Sequence, residues 1–493
     1  MVTAGNGAVV TATETRSSGS VKSLIPARLD RLPWTRFHWT VVLGLGTAWI
    51  LDGLEIQMVS ENGYSKQLGM NSAEVGLTGS IYLVGEVVGA LVFGRLSDKL
   101  GRQRFFILTL FIYLIGSGIA GFAFAPWFLW VFRFIAGMGI GGEYTAINSA
   151  IDEIIPSKFR GRVDLAINGT YWGGAALGAA ANLFLLAPGS FLQTSGWGWR
   201  IGFWIGPVLG LFIIYLRRHI PESPRWQITH GHEDEAERNV TRIEHEVEEE
   251  SGRSLDRVPD TKAIDVMQSD SIPFRKVAHV FLRLYPKRSL VAFTMMVTQS
   301  FLYNAIFFSY ALVLSNFYHI PGGAVGLYFF PFAIGNLLGP IILGPLFDSI
   351  GRRQMIFATY GIAGVVLAVS GALFEAGALS ALTQTIFWCV SFFFASAGAS
   401  SAYLTVSETF PLQVRGQAIS YFFSIGQAVG AFAPTIFGIL VGNGSSRAPL
   451  AIGYYFGAGM MIVGGIVALI FGVSAERKGL EDISDVNFMA DAK

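Results

Sequence analysis

The chain has 493 residues, of which 52% are hydrophobic and 14% charged, where an ordinary soluble domain carries about 25% charged residues. So little charge cannot solvate the surface of a globular enzyme of this size. A net charge of +1 gives no bulk field to draw in nucleic acid. The lone cysteine, Cys389, excludes a disulfide framework and leaves no thiolate pair for zinc.

Residues 1–37 are polar and carry Arg16, Lys22, Arg28, Arg31 and Arg36 around no apolar core, so they read as a tail and not as a cleavable leader. Twelve apolar stretches follow, near 39–60, 75–94, 105–125, 127–150, 163–187, 200–216, 289–314, 322–346, 355–375, 379–405, 416–441 and 450–472. Each approaches the ~20 residues that a helix needs to cross a bilayer, where backbone amides must be paired internally. Between the sixth and seventh, residues 217–287 hold 14 acids and 12 bases. That segment predicts a solvated loop with amphipathic helix around Glu233–Glu250. The expected fold is an all-α integral membrane protein with twelve transmembrane helices in two pseudo-symmetric six-helix bundles. Its parts are a tail (1–37), a first bundle (38–216), a central loop (217–287), a second bundle (288–472) and a C-terminal tail (473–493).

Basic residues of short loops set orientation. Arg95, Lys99, Arg102 and Arg104 follow span two, Lys158, Arg160 and Arg162 span four, Arg352 and Arg353 span eight, and Arg415 span ten; the opposite loops offer only Lys66, Arg200 and Arg447. Both termini and the central loop are therefore expected in the cytoplasm.

Ionisable groups at membrane depth are expensive unless paired or hydrated, which makes them informative. Span one contains Asp52 and Glu55, a separation of three that puts both on one side of a helix. Span two holds Glu86. Span four holds Arg133 and Glu143 around Gly137, Gly139, Gly141 and Gly142, a run that permits close helix approach; Tyr144 returns to the Arg133 face three turns on. The favoured pairing is Glu55 with Arg133, because a carboxylate's proton affinity depends on a nearby guanidinium; a permanent structural ion pair is the alternative. Glu86 is either a pore-hydrating or paired acid or a packed hydrogen-bonding group. In span five, Asp164, Asn168, Tyr171 and Ala175 share a helical face, with Trp172 alongside and Asp164 toward the cytoplasm. Span seven adds Gln299 and Tyr303 on one face and Ser300, Asn304 and Phe308 on the next. These amides and rings suit a small polar organic molecule, and each also suits interhelical hydrogen bonding.

The loop Gly94-Arg-Leu-Ser-Asp98-Lys-Leu-Gly101-Arg102 returns as Gly344-Pro-Leu-Phe-Asp348-Ser-Ile-Gly351-Arg352, and Glu153-Ile-Ile-Pro156-Ser-Lys-Phe-Arg160-Gly161 as Glu408-Thr-Phe-Pro411-Leu-Gln-Val-Arg415-Gly416. Two parallel six-helix repeats, related by an axis along the membrane normal, follow from that register. Asp98, Arg102, Glu153, Arg160, Asp348, Arg352, Glu408 and Arg415 are candidates for charge clusters that clamp helix ends together; solvated topogenic charge is the alternative.

These repeated motifs, with Pro221-Glu-Ser-Pro-Arg-Trp226, resemble the major facilitator superfamily over residues 38–475, and more narrowly its sugar porters and the neighbouring metabolite:proton and aromatic acid:proton symporters. The resemblance implies that the clusters hold the outward-facing state. It also implies that Glu55, in Gly53-Leu54-Glu55, meets Arg133 of R-x-x-x-G-x-G-x-G in proton coupling. Asp52 fits the D-G-x-D motif of aromatic acid symporters, with Glu55 as the second acid. Gln299 and Asn304 keep positions of the porters' Q-Q-x-x-G-x-N motif, while Thr298 and Leu302 depart from it and Tyr403 replaces a tryptophan of span ten. The substrate could then be a sugar, a polyol or an organic or aromatic acid.

Five of the seven histidines lie in the central loop and none mid-membrane, so no metal site or histidine relay is expected. No G-x-x-x-x-G-K-[ST] motif occurs to bind ATP. The expectation is a proton-coupled secondary transporter and not an enzyme. It would take up a small molecule by alternating access as a monomer in the inner membrane, without a cofactor. A proton antiporter or exporter, an uncoupled facilitator of the same fold and a transporter-like membrane sensor remain as alternatives.

Overall fold

The computed structural model describes residues 20–483 apart from 61–63, 65, 66, 71, 187, 188, 218–221, 269–272, 321, 412, 413 and 443. The side chains of Asp98, Arg102 and Phe308 also lie outside the described set. A strand β1 (Ser20–Ser23) and helix α1 (Ile25–Asp30) precede α2 (Arg36–Ser60), α3 (Ser72–Leu100), α4 (Arg102–Ala120), α5 (Pro126–Ile154), α6 (Arg160–Leu185), the short α7 (Phe191–Ser195) and α8 (Trp197–Arg217). The connecting segment holds α9 (Pro224–Thr229), α10 (Glu233–Ser251), strand β2 (Ile264–Met267) and α11 (Phe274–His279). Then come α12 (Pro286–Tyr318), α13 (Gly322–Ser349), α14 (Arg352–Glu375), α15 (Ala381–Thr409), α16 (Arg415–Gly430), α17 (Ala433–Val441), α18 (Ala448–Phe471) and a last turn, α19 (Leu480–Ile483).

Ten spans among the described residues are long and apolar enough to cross a bilayer. The other two, α5 and α6, are 29 and 26 residues long and carry the polar groups that the interior uses. The eleventh stretch, which reads as one helix, is broken between α16 and α17, where Pro434 supplies no amide hydrogen to continue the ladder. Burial is inverted relative to a soluble protein. Leu43, Phe111, Phe212, Leu312 and Ile439 point outward, while Asp52, Glu55, Glu86, Arg133, Glu143 and Asp164 are buried, as expected where the surrounding solvent is hydrocarbon.

Within the first six spans α3 packs on α5, α2 on α6 and α4 on α5; within the second six α14 packs on α18 and α13 on α15. Glycine makes the α3–α5 crossing possible. A Cβ on Gly141 would stand 1.9 Å from the Glu86 carbonyl, and one on Gly89 2.0 Å from that of Met138, so the two backbones touch. The halves meet along two seams, α3 with α16 and α6 with α13. Spans two and eleven thus pair as spans five and eight do, which is what two parallel repeats require. The repeated motif glycines Gly101 and Gly351 both take positive φ, 103° and 124°, as the caps from which α4 and α14 start, a conformation that favours glycine.

One face carries the described chain ends and the connecting segment, and is called the loop face below. Strand β1 pairs antiparallel with β2, Ser20 opposite Met267 and Ser23 opposite Ile264. Helix α10 buries Ala236, Val240, Ile243 and Val247 on one stripe. Its acids hold α1: Arg28 Nη2 lies 2.6 Å from Glu244 Oε2, and Arg28 also pairs with Glu237 and Arg31 with Glu244. Docking of residues from the N-terminal tail onto this segment is not visible in composition or periodicity.

Candidate functional site

Three layers of polar groups run down the seam between the halves. In the first, α2 presents Asp52 and Glu55 one turn apart, and the close α3–α5 crossing brings Tyr82, Arg133 and Tyr144 against them. Arg133 Nη1 donates to Glu55 Oε1 at 2.5 Å, with both side chains at most 2% exposed. Asp52 accepts from Tyr82 Oη at 2.6 Å and, on its other oxygen, from Tyr144 Oη. The Tyr82 ring also covers the Arg133 guanidinium, 3.9 Å from ring centre to Cζ. One tyrosine therefore links the two carboxylates of α2, its hydroxyl to Asp52 and its face to the partner of Glu55. Glu143 is fully buried on α5, five residues before Asn148.

The second layer is a cavity lined from both halves. It brings together Asn168, Tyr171 and Trp172 of α6, Gln299, Tyr303 and Asn304 of α12 and Tyr403 of α15, residues nominated from three separate spans. Aromatic rings form the walls: Trp49 stacks on Tyr144 at 4.1 Å, Trp172 lies 5.6 Å from Tyr303, and Tyr403 meets Trp49 edge-on at 5.6 Å. Tyr303 Oη donates to Asn336 Oδ1 at 2.9 Å, which holds that ring in place. A chain of hydrogen bonds crosses the floor. Asn304 Nδ2 donates to Ser300 Oγ (3.4 Å), Ser300 Oγ to Gln427 Oε1 (2.5 Å), and Gln427 Nε2 to Glu86 Oε2 (2.8 Å).

The third layer closes the loop face. Asp348, at the end of α13, crosses to the first half and caps α6: Oδ1 accepts from Gly161 N at 3.2 Å and Oδ2 from Arg162 N at 2.9 Å. Arg352 donates to Asp348 at 2.9 Å and forms a two-pronged pair with Glu408 at 2.9 and 3.0 Å. Arg160, from the first half, approaches the same Glu408 at 3.6 Å. Arg225 donates to the Glu153 carbonyl at 3.1 Å, and Arg225 and Arg160 lie 3.2 and 3.6 Å from Asp30 at the end of α1. Arg415 and Glu153 are buried in the same region. Asp98 and Arg102, the matching candidates of the first repeat, lie outside the described side chains.

Several groups here were not nominated from sequence. Gln427 continues a stripe of Ser420, Ser424 and Gln427 on α16, and Ser396 and Ser400 precede the nominated Tyr403 on one face of α15. Both are polar i, i+4, i+7 series in apolar helices, a legible signal. Trp49 and Asp30 carry no such signal; only tertiary packing brings them in.

A family model described as sugar (and other) transporter matches residues 51–486. The chain belongs to this family. The transporter is 27% identical to a niacin transporter of Acinetobacter baylyi over 418 residues, 83% of this chain and 89% of that one. Its fold is that of the major facilitator superfamily. It superposes on the proton:xylose symporter bound to 6-bromo-6-deoxy-D-glucose with a TM-score of 0.75 at 17% identity, covering 91% of this chain and 98% of that one. Against the inward open conformation of the Escherichia coli xylose transporter the score is 0.61 at 16% identity, over 90% and 98% of the chains. The transporter is thus a multi-pass membrane protein that carries a small molecule, and not an enzyme.

Proposed function

We propose that this transporter is a proton-coupled symporter that imports a small polar organic solute by alternating access. The observation that carries the reading is the buried Glu55–Arg133 pair, joined to Asp52 through Tyr82. Glu55 is the proton carrier, and Arg133 is the partner that helix motion brings to it and withdraws. Asp52 and Glu143 belong to the same proton-responsive group. Asn168, Tyr171, Trp172, Gln299, Tyr303, Asn304 and Tyr403 contact the solute.

The gate consists of Asp348, Arg352, Glu408 and Arg160 with Glu153 and Arg415, and of Asp98 and Arg102 by their place in the repeat. The loop face is cytoplasmic, as the loop arginines require, so the closed gate corresponds to a cavity reached from outside. The reading places the protein in the inner membrane as a monomer, with bundles at 38–216 and 288–472 about the 217–287 loop.

The test is uptake into proteoliposomes under an imposed proton gradient, with a panel of sugars, polyols, aromatic acids and their amides. Accumulation should collapse with a protonophore. Glu55→Gln should keep solute exchange across the membrane and lose uphill accumulation. A Glu55→Gln protein that still accumulates solute against its gradient would refute the assignment, and accumulation driven by an opposite proton gradient would make it an antiporter.

A further inference from the structure

The cavity is a polar aromatic box, but its charge is one-sided. Glu86 is the one charged side chain among its described lining residues; none is Lys, Arg or His. The nearest cation, Arg133, is taken by Glu55 and covered by Tyr82.

The hydrogen-bond chain has a direction as well. From Asn304 through Ser300 and Gln427 every donor points toward Glu86, so Glu86 is its terminal acceptor. Gln427 occupies Oε2. No other donor among the described residues reaches Glu86, whose side chain is only 2% exposed and lines the cavity. A buried acceptor with an unused oxygen calls for a donor from whatever occupies the site. Around it, the lining holds the rings of Trp49, Tyr171, Trp172, Tyr303 and Tyr403, whose π-faces suit a planar ring, neutral or positive.

Resting on the transport reading above, we infer that the cavity selects a planar ring solute bearing N–H or O–H groups, neutral or cationic, anchored on the free oxygen of Glu86, and turns away the corresponding carboxylate anion. An anion would have to enter a low-dielectric space with no counter-cation among its described lining residues to meet it. Glu86 is the specificity-determining residue and Gln427 its positioning partner: the amide holds one carboxylate oxygen so that the other faces the ring.

Three probes of one ring shape separate charge from shape: nicotinamide (neutral), 1-methylnicotinamide (cationic) and nicotinate (anionic at pH 7.5). Calorimetric titration of the full chain in lipid nanodiscs at about pH 7.5 should give both amides a dissociation constant at least about tenfold lower than nicotinate. Glu86→Gln should bring the nicotinamide-to-nicotinate ratio within about threefold and weaken 1-methylnicotinamide most. The wild-type ranking stands without the variant, so misfolding of Glu86→Gln leaves the test intact. Nicotinate binding as tightly as nicotinamide to the wild-type protein overturns the inference, as does binding of xylose with none of the ring probes. Either result leaves the carrier reading standing. Conversely, the expected ranking without proton-driven uptake of the probe that binds would sink the proton-coupling reading and keep the inference.

Discussion

Asp348→Asn isolates the tie that holds the loop face shut. In the wild-type structure the carboxylate meets three donors: the amides of Gly161 and Arg162 at the start of α6, and Arg352 of its own half. Asparagine keeps one carbonyl acceptor and turns an NH2 group toward the other amide, so one charge-assisted bond across the halves is lost. Arg352 is not stranded, because both prongs of its contact with Glu408 survive at 2.9 and 3.0 Å. The loss therefore stays near that of one hydrogen bond to a charged group, about 1.5–3 kcal/mol, and below the ~3–5 kcal/mol of orphaning a buried ion. Since the bond exists only while the halves touch here, that energy moves the equilibrium toward the open loop face by roughly 10- to 150-fold.

Cysteine labelling reads the shift. With Cys389 replaced by serine, Ser407→Cys places a thiol at a fully buried position of α15 beside Glu408. Maleimide labelling of that thiol from the loop face should accelerate by about an order of magnitude in Asp348→Asn, while Asp30→Asn, none of whose partners Ser157, Arg160 and Arg225 belongs to the second half, should change it less. Labelling within about twofold of the parent, in a variant with an unchanged unfolding temperature, would refute the idea that Asp348 latches the two halves.

Other perturbations test the remaining layers. Gly141→Ala forces a methyl to within 1.9 Å of the Glu86 carbonyl; it should destabilise the chain by about 1–3 kcal/mol or more, seen as earlier unfolding in denaturant. Tyr82→Phe removes a 2.6 Å bond to Asp52 but keeps the ring over Arg133, so it should weaken the fold by about 1.5–3 kcal/mol, and Tyr82→Leu by roughly 0.5–2 kcal/mol more; equal losses would deny the cation–π contact a role. At the loop face, burial tends to raise the Glu244 pKa, but hydrogen bonds from Arg28 and Arg31 outweigh it and hold the carboxyl below its ordinary value. A folded pKa below the unfolded one gives stabilisation present above about pH 4.3 and lost as pH falls through the folded value. Intrinsic-rate-corrected amide protection of residues 20–31 should therefore hold from neutrality to about pH 5 and fall below about pH 4; a loss near pH 6 would contradict it.

The membrane architecture was legible because hydrocarbon imposes a length and a composition on every span, and a repeat imposes a register on both halves. The charge pairing of Glu55 with Arg133 was legible for a related reason: ions at that depth need partners, and few are available. What escaped was set by tertiary packing. Asp52 pairs with two tyrosine hydroxyls and not with an arginine, a choice made by the glycine-tight α3–α5 crossing, which no spacing rule encodes. The break between α16 and α17 escaped because Pro434 sits in an otherwise unbroken apolar run. The docking of Ser20–Ser23 on β2 escaped because four residues carry too little pattern to identify a strand.

The two seams between the halves differ in a way that bears on how the cavity opens. Along α3 and α16 the contact is hydrogen-bonded at successive turns: Ser420 donates to the Ala90 carbonyl, Ser424 to that of Val87 at 3.3 Å, and Gln427 to Glu86 at 2.8 Å. Along α6 and α13 the described contacts at the same depths are apolar, Gly169 against Pro340 and Gly173 against Leu337, with the polar tie held back to Asp348 at the loop end. Hydroxyl-to-carbonyl bonds contribute about 0.5–1.5 kcal/mol each and exchange readily with water, so the first seam can open by admitting water turn by turn. The second has no such intermediate: apolar contact persists until the Asp348 cap lets go. The opposite ends of one rocking motion are therefore controlled by different chemistry. Glu86, the acid that anchors the solute, sits on the seam that water can enter, so filling the cavity and loosening that seam draw on the same carboxylate.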